Sequence, residues 1–313
     1  MMIAMTALLL VALFLGGSWL WTPDKALADL QARYAGAPSE FIDAAGLRLH
    51  VRQSGPVNAR PDAPVIMLLH GFGSSLHTWE PWAEALSATH RVIRFDLPGA
   101  GLTGADPTGD YSDLRGVQIL VALMDRLGIA RATLVGHSMG GRLAWRFAAE
   151  QPARMDKLVL VAPDGFASPG FEYGKAPEVT APVRLMQYVL PKALLRMSLS
   201  PAYADPARMT DEIVTRYHDM MLAPGVRTAL IARMQQLVLQ DPVPLLRRIQ
   251  APTLLLWGEK DGMIPLANAQ DYLRAIQNLR HPAKLVVIPG VGHLPHEEAP
   301  AESLPAVRAF LAE

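Results

Sequence analysis

Short apolar runs alternate with longer amphipathic ones through most of this chain, and that alternation narrows its architecture more than any other feature. The runs at 64–69 (PVIMLL), 91–95 (RVIRF), 132–135, 157–161 (KLVLV), 252–257 (PTLLLW) and 284–288 (KLVVI) have the length and composition of strands. Between them lie segments with a helical repeat. At 113–127, Leu114, Val117, Leu120, Val121, Met124 and Leu127 share one face. Further helices are expected at 140–150, 268–276 and 301–311. Strands that alternate with helices build an α/β domain, with a mostly parallel central sheet flanked by helices on both faces. The runs 41–42 and 47–51 flank Ala45-Gly46 and read as an opening hairpin. In such sheets ligands bind beyond the carboxyl ends of the strands.

The pattern breaks between 167 and 241. No strand-like run stands out there. Helical stretches at 183–195, 211–221 and 227–239 are punctuated by Pro191, Pro201, Pro206 and Pro224. The expected organisation is an N-terminal segment (1–22), a polar connector (23–38), a core built from 39–166 and 242–313, and an inserted helical cap (167–241).

Residues 1–21 carry no charged side chain. As a helix rising about 1.5 Å per residue they would span about 30 Å, the thickness of a bilayer core. Trp19 and Trp21 would then sit at an interface, where amphipathic rings are favoured. A cleaved signal peptide competes, since Ala26-Leu27-Ala28 fits the A-x-A pattern. Against it, no Lys or Arg precedes the apolar run and Asp24-Lys25 crowd the cleavage site. A single N-terminal membrane anchor is the favoured expectation. Lys25 and Arg33 after the run favour a cytoplasmic catalytic domain, and a cleaved signal would make it secreted or periplasmic.

Composition excludes other classes. The chain has 29 basic and 29 acidic residues among 313, so no strong field draws it to nucleic acid. It contains no cysteine, which rules out disulfides and thiolate metal sites.

The chemistry falls just after the strands. Gly136-His137-Ser138-Met139-Gly140 fits G-x-S-x-G between a strand and a helix, a sharp turn that exposes a serine hydroxyl. A serine needs a base, and the base needs an orienting carboxylate. Asp261 follows one strand and His293 another, in that order along the chain. Glu259 and Asp164 compete for the carboxylate role and His296 for that of the base, although His296 suits a loop anchor or helix cap better. His70-Gly71-Phe72-Gly73 follows another strand. The Phe72 N–H, with that of Met139, would form an oxyanion hole. Gly99 to Gly104 matches G-x-G-x-x-G, but Asp96-Leu97-Pro98 separates it from its strand and loop residues follow, so a dinucleotide site is not expected.

With HGFG at His70, DLPGAGLTG at Asp96, GHSMGG at Gly136, GEKDGMIP at Gly258 and GVGHLPHEEAP at Gly290, the chain resembles the α/β-hydrolase superfamily, in its branch with a helical cap. The resemblance runs from about residue 40 to the end. It implies Ser138, Asp261 and His293 as a catalytic triad, and Phe72 and Met139 as oxyanion donors. Thr103 stands where relatives often carry serine. Relatives that cleave carbon–halogen bonds or epoxides use an aspartate nucleophile, so Ser138 argues against both activities.

The expected chemistry is two-step acyl transfer on a small-molecule substrate, with no metal or organic cofactor. The methionine-rich cap suggests an adaptable apolar pocket. A carboxylic-ester hydrolase, acting on a lipophilic ester, is the leading expectation. The alternatives are hydrolysis of a carbon–carbon bond in a diketone-like substrate and a non-catalytic ligand-binding protein.

Overall fold

The computed structural model describes residues 21–56, 62–168 and 170–313. Its strands are β1 (Ser39–Ala44), β2 (Leu47–Ser54), β3 (Val65–Leu69), β4 (Arg91–Phe95), β5 (Ala132–His137), β6 (Met155–Val161), β7 (Thr253–Gly258) and β8 (Lys284–Ile288). They form one sheet in the order β1-β2-β4-β3-β5-β6-β7-β8. β1 and β2 pair antiparallel, as do β2 and β4, and every other pairing is parallel. The β1–β2 hairpin closes through Ala45 (φ 52°) and Gly46 (φ 79°), the left-handed backbone that a tight two-residue hairpin requires.

The parallel strands are apolar on both faces because both are covered. Met67 and Leu69 of β3 enter the core on one side, while Ile66 and Leu68 enter the core on the other. The helix Asp113–Arg126 starts at Ser112, whose Oγ accepts the Arg115 N–H. Its buried stripe is Val117, Ile119, Leu120, Leu123 and Met124, wider than the repeat predicts, because it packs against both β1 and the helix Met139–Glu150. Leu114, expected on that stripe, is 55% exposed in the first turn.

Between β6 and β7 lie the helices Ala181–Leu185, Lys192–Leu199, Asp211–Met221 and Val226–Gln236. The single helix expected at 183–195 is two, because Pro191 is extended (ψ 140°) and cannot continue a helix. These helices build a satellite core around Leu190, Leu195, Tyr217, Met220 and Leu230, which also takes in Leu30 of the connector helix Leu27–Tyr34. The connector is thus packed on the cap.

The expected membrane-spanning segment falls almost wholly on residues 1–20, outside the described residues. Among the described residues no helix is long and apolar enough to cross a membrane.

β3 lies between β4 and β5, so the chain leaves β3 toward one side of the sheet and returns on the other. Such a reversal opens a crevice at the carboxyl ends of the strands. The loops after β3 and β5, carrying Phe72 and Ser138, meet there.

Candidate active site

Ser138 stands between β5 and the helix Met139–Glu150 with φ 50° and ψ −119°. A non-glycine residue held there stores strain, and the neighbouring glycines make the turn possible. A Cβ on Gly136 would stand 2.3 Å from Gly140 O, and one on Gly140 would stand 2.3 Å from Leu69 O. Backbone bonds then lock the turn: Ser138 N–H donates to Val161 O (3.0 Å), and Ser138 O accepts from Arg142 N (3.0 Å) and Asp164 N (3.1 Å). Met139 opens the helix, so its N–H has no intrahelical acceptor and stays available.

His293 sits in the loop after β8. Its Nδ1 lies 2.8 Å from Asp261 Oδ2, and both side chains are buried. Asp261 Oδ1 accepts the N–H groups of Met263 (2.8 Å) and Ile264 (2.9 Å), which fixes the carboxylate. A carboxylate can only accept, so Nδ1 carries the proton and Nε2 keeps its lone pair. Of the competing acids, Glu259 accepts the Gly290 N–H (2.9 Å), and Asp164 pairs with Arg142 (2.7 Å). His293 N–H donates to Ala202 O of the cap (2.8 Å), so cap and loop are registered together.

His296 is not at the cavity. It is buried, stacks on Trp79 with ring centroids 4.0 Å apart, and lies 3.1 Å from Thr78 Oγ1. His137 is also buried and donates through Nε2 to His293 O (2.9 Å). Burial above all, then proximity to His293, holds both imidazoles well below the ordinary histidine pKa. They stay neutral near pH 7, so no neighbouring imidazolium opposes a proton on His293.

The loop after β3 is drawn onto the elbow at Gly71. A Cβ there would stand 2.7 Å from His137 Nδ1 and 3.3 Å from Ser138 Cβ. His70 holds the loop from below: Nδ1–H donates to Gly71 O (2.8 Å) and Nε2 accepts the Leu97 N–H (2.9 Å).

Phe72, Ser138, Met139 and His293 line one cavity. Phe171, Met234, Leu237, Met263 and Ile264 make its walls largely apolar, and Arg142, Asp164, Ser168 and Arg233 add polar groups. Arg142 is clamped between Asp113 (3.1 Å) and Asp164 (2.7 Å). Arg233 is different. Its guanidinium donates to the carbonyls of Pro98 (2.6 Å) and Tyr111 (3.4 Å), and among the described residues no carboxylate pairs with it. Burial first, and then the nearby Arg142 charge, draws its pKa down to about 10, so it remains cationic at neutral pH. Sequence reasoning missed Arg233, since an arginine in a helical repeat reads as a solvent-facing residue. Its one signal is adjacency to Met234, one of the methionines of the cap.

The G-x-G-x-x-G loop serves a second serine–histidine–aspartate alignment. His50 Nε2 lies 2.9 Å from Ser39 Oγ, and Nδ1 lies 2.8 Å from Asp96 Oδ2. Asp96 also accepts the N–H groups of Leu76 and Leu102 (both 2.8 Å), and a Cβ on Gly101 would stand 2.2 Å from its Oδ2. Burial pushes the Asp96 carboxyl up, but the facing His50 overrides this and holds it at about 2. Ser39 lies on a regular strand and its Oγ accepts from Arg52 Nε (2.9 Å), so this alignment ties the hairpin to the loop.

Comparison with known proteins agrees with this architecture. The acetyltransferase component of an acetoin-cleaving system from Pseudomonas putida is 33% identical over 79% of this chain, which spans 63% of that longer protein. A 2-hydroxy-6-oxononadienedioate/2-hydroxy-6-oxononatrienedioate hydrolase from Burkholderia vietnamiensis is 32% identical over 85% of this chain and 93% of its own. The solved structure of a meta-cleavage product hydrolase from Pseudomonas fluorescens superposes with a TM-score of 0.74 at 25% identity, covering 87% of this chain and 97% of that one. Residues 64–300 match the family model of the alpha/beta hydrolase fold. The mostly parallel sheet, the elbow after β5 and this match together make the chain a member of the α/β-hydrolase family.

Proposed function

We propose that this hydrolase cleaves a carbon–carbon bond beside a ketone, in a substrate with an apolar body and an acidic end, through Ser138, His293 and Asp261. The observation that carries this reading is Arg233, a cation on the wall of the cavity that Ser138 shares, with no carboxylate paired to it among the described residues. A substrate carboxylate would supply the missing partner. The Burkholderia vietnamiensis relative carries an acid in its substrate's name, and the likeness covers 85% of this chain and 93% of that one. These relatives move the balance away from the lipophilic ester expected from the sequence.

In this reading His293 Nε2 takes the Ser138 proton as the hydroxyl attacks the ketone carbon. The N–H groups of Phe72 and Met139 hold the tetrahedral oxyanion. Collapse expels carbon, which requires a fragment that spreads its negative charge over a conjugated carbonyl. The proton from His293 goes to that fragment. Water, deprotonated by His293, then attacks the acyl-enzyme and releases a carboxylic acid and Ser138. Asp261 keeps Nε2 as the basic nitrogen and stabilises the imidazolium. The sum is one water added across one carbon–carbon bond.

Ester hydrolysis is the second reading, favoured by the apolar walls at Phe72, Phe171, Met234 and Met263. The same steps apply with an alkoxide leaving group. The test pairs 2-hydroxy-6-oxononadienedioate with a series of p-nitrophenyl esters, alongside fluorophosphonate labelling. Turnover of the dienedioate supports the proposal. Turnover of esters alone moves the assignment to the second reading. Loss of labelling in Ser138→Ala supports the nucleophile, and undiminished labelling overturns it.

A further inference from the structure

We infer that the outer face of the helical cap rests on a phospholipid surface, held there by an N-terminal segment that is not cleaved. The inference is independent of which bond the enzyme breaks. It begins where the connector docks. The Trp21 ring stacks on Tyr188 of the cap with centroids 5.6 Å apart. Thr22 N–H donates to Tyr188 O (2.8 Å), and Thr22 Oγ1 accepts the Leu190 N–H (3.0 Å). Asp24 pairs with Arg227 (2.6 Å) and Lys25 with Asp219 (2.6 Å), and these two cap side chains are buried. Asp219 also accepts from Arg33 (3.0 Å) and Tyr34 (2.7 Å).

These ties argue against signal cleavage at Ala26-Leu27-Ala28. Cutting there would remove Asp24 and Lys25 and leave the buried Arg227 guanidinium without its carboxylate, a costly state for a buried charge. The residues next to the cleavage pattern are instead built into the cap. Trp21 and Thr22, which directly follow the uncharged run 1–20, are therefore held on the cap. The residues of that run are numerous enough to cross a bilayer core of about 30 Å at about 1.5 Å per residue.

The cap segment that carries this junction exposes several large apolar side chains. Trp21, Leu185, Tyr188 and Leu194 are exposed, and Met197 is 71% exposed. Leu185 and Tyr188 are three residues apart, as are Leu194 and Met197, so each pair shares one side of its helical turn. Aromatic rings with a polar edge, here Trp21 and Tyr188, suit the boundary between headgroups and acyl chains. Exposed Arg184 and Lys192, in the same segment of the cap, suit an anionic headgroup layer. A bilayer is the occupant that matches both the exposed apolar side chains and the uncharged run before Trp21.

The chain has no cysteine, so a single introduced thiol reports one position. Full-length Met197→Cys and Leu279→Cys, the latter 96% exposed in the loop before β8, would each be labelled with an environment-sensitive fluorophore. Each is then reconstituted in phosphatidylcholine vesicles containing phosphatidylglycerol and a lipid-borne quencher. The expected result is flotation with the vesicles, an intact N-terminus by mass, and several-fold stronger quenching at 197 than at 279. Failure to float, or a mature chain that starts near Asp29, overturns the anchor and with it the inference. Flotation with an unquenched label at 197, or equal quenching at both positions, overturns the placement of the cap on lipid.

Discussion

Gly71 and His137 approach so closely that the smallest side chain at position 71 would stand 2.7 Å from His137 Nδ1. His137 is buried and its Nε2 is committed to His293 O, so the ring has nowhere to retreat. The loop bearing Phe72 would have to lift from the elbow. Gly71→Ala is therefore expected to lower kcat by about 10²- to 10³-fold, the usual cost of losing one oxyanion donor. Steady-state kinetics with a parallel thermal melt would check this, and unchanged kcat in a folded variant would remove Phe72 from the proposed oxyanion hole.

Asp261 and Glu259 are two residues apart, yet only Asp261 reaches His293. Asp261→Asn should cost about 10⁴-fold in kcat, since the amide favours the wrong imidazole tautomer. Glu259→Gln, which disturbs one bond to Gly290 N–H, should stay within a few-fold of wild type. Comparable losses in the two variants would reject the assignment of the acid.

Arg233→Met removes the guanidinium while keeping an unbranched side chain. A hydrogen bond to a charged group contributes about 1.5–3 kcal/mol, so KM for an acidic substrate should rise by about 10- to 100-fold. The change for a neutral p-nitrophenyl ester should be much smaller. Equal effects on both substrates would show that Arg233 supports the cavity wall and does not meet a carboxylate.

Stability should fall as acid is added, starting near pH 6.5. Burial holds His70, His77, His137 and His296 below the ordinary histidine value, His77 to about 4. The unfolded chain takes up protons below 6.5 while these buried rings resist, so protonation favours unfolding. For His77 the gap between 6.5 and about 4 amounts to about 3 kcal/mol, lost progressively across that window. Denaturant midpoints measured from pH 7 to pH 4 would trace it. His77→Gln should show a shallower decline, and an identical slope would mean that His77 does not contribute.

The fold was legible because the parallel strands are apolar on both faces and stand out as short continuous runs. The elbow was legible because a strained serine needs glycines at fixed offsets, and Gly136 and Gly140 are required by contacts of 2.3 Å. Asp261 could be placed after β7, but its advantage over Glu259 rests on a side-chain direction that no local pattern encodes. The cap was harder, since Pro191 splits an expected helix. In the core, Leu114 turns out of the stripe of its helix. Arg233 had little signature beyond its place beside Met234, since the lack of a paired carboxylate among the described residues depends on long-range packing. Asp96 was quoted in a loop motif, but its seat between His50 and two backbone N–H groups came from tertiary structure.

The docking of the connector has a consequence for recombination. Asp219 of the cap draws its partners from Lys25, Arg33 and Tyr34, and Leu30 fills a gap among cap side chains. The stretch from Thr22 to Tyr34 is therefore a remote part of the cap, separated from it in sequence by six of the eight strands, β1 to β6. A chimera that imports a foreign cap between β6 and β7 would orphan this stretch, and one that imports both pieces would keep the pairing intact. In this protein the exchangeable module is discontinuous, and its two pieces would be inherited together.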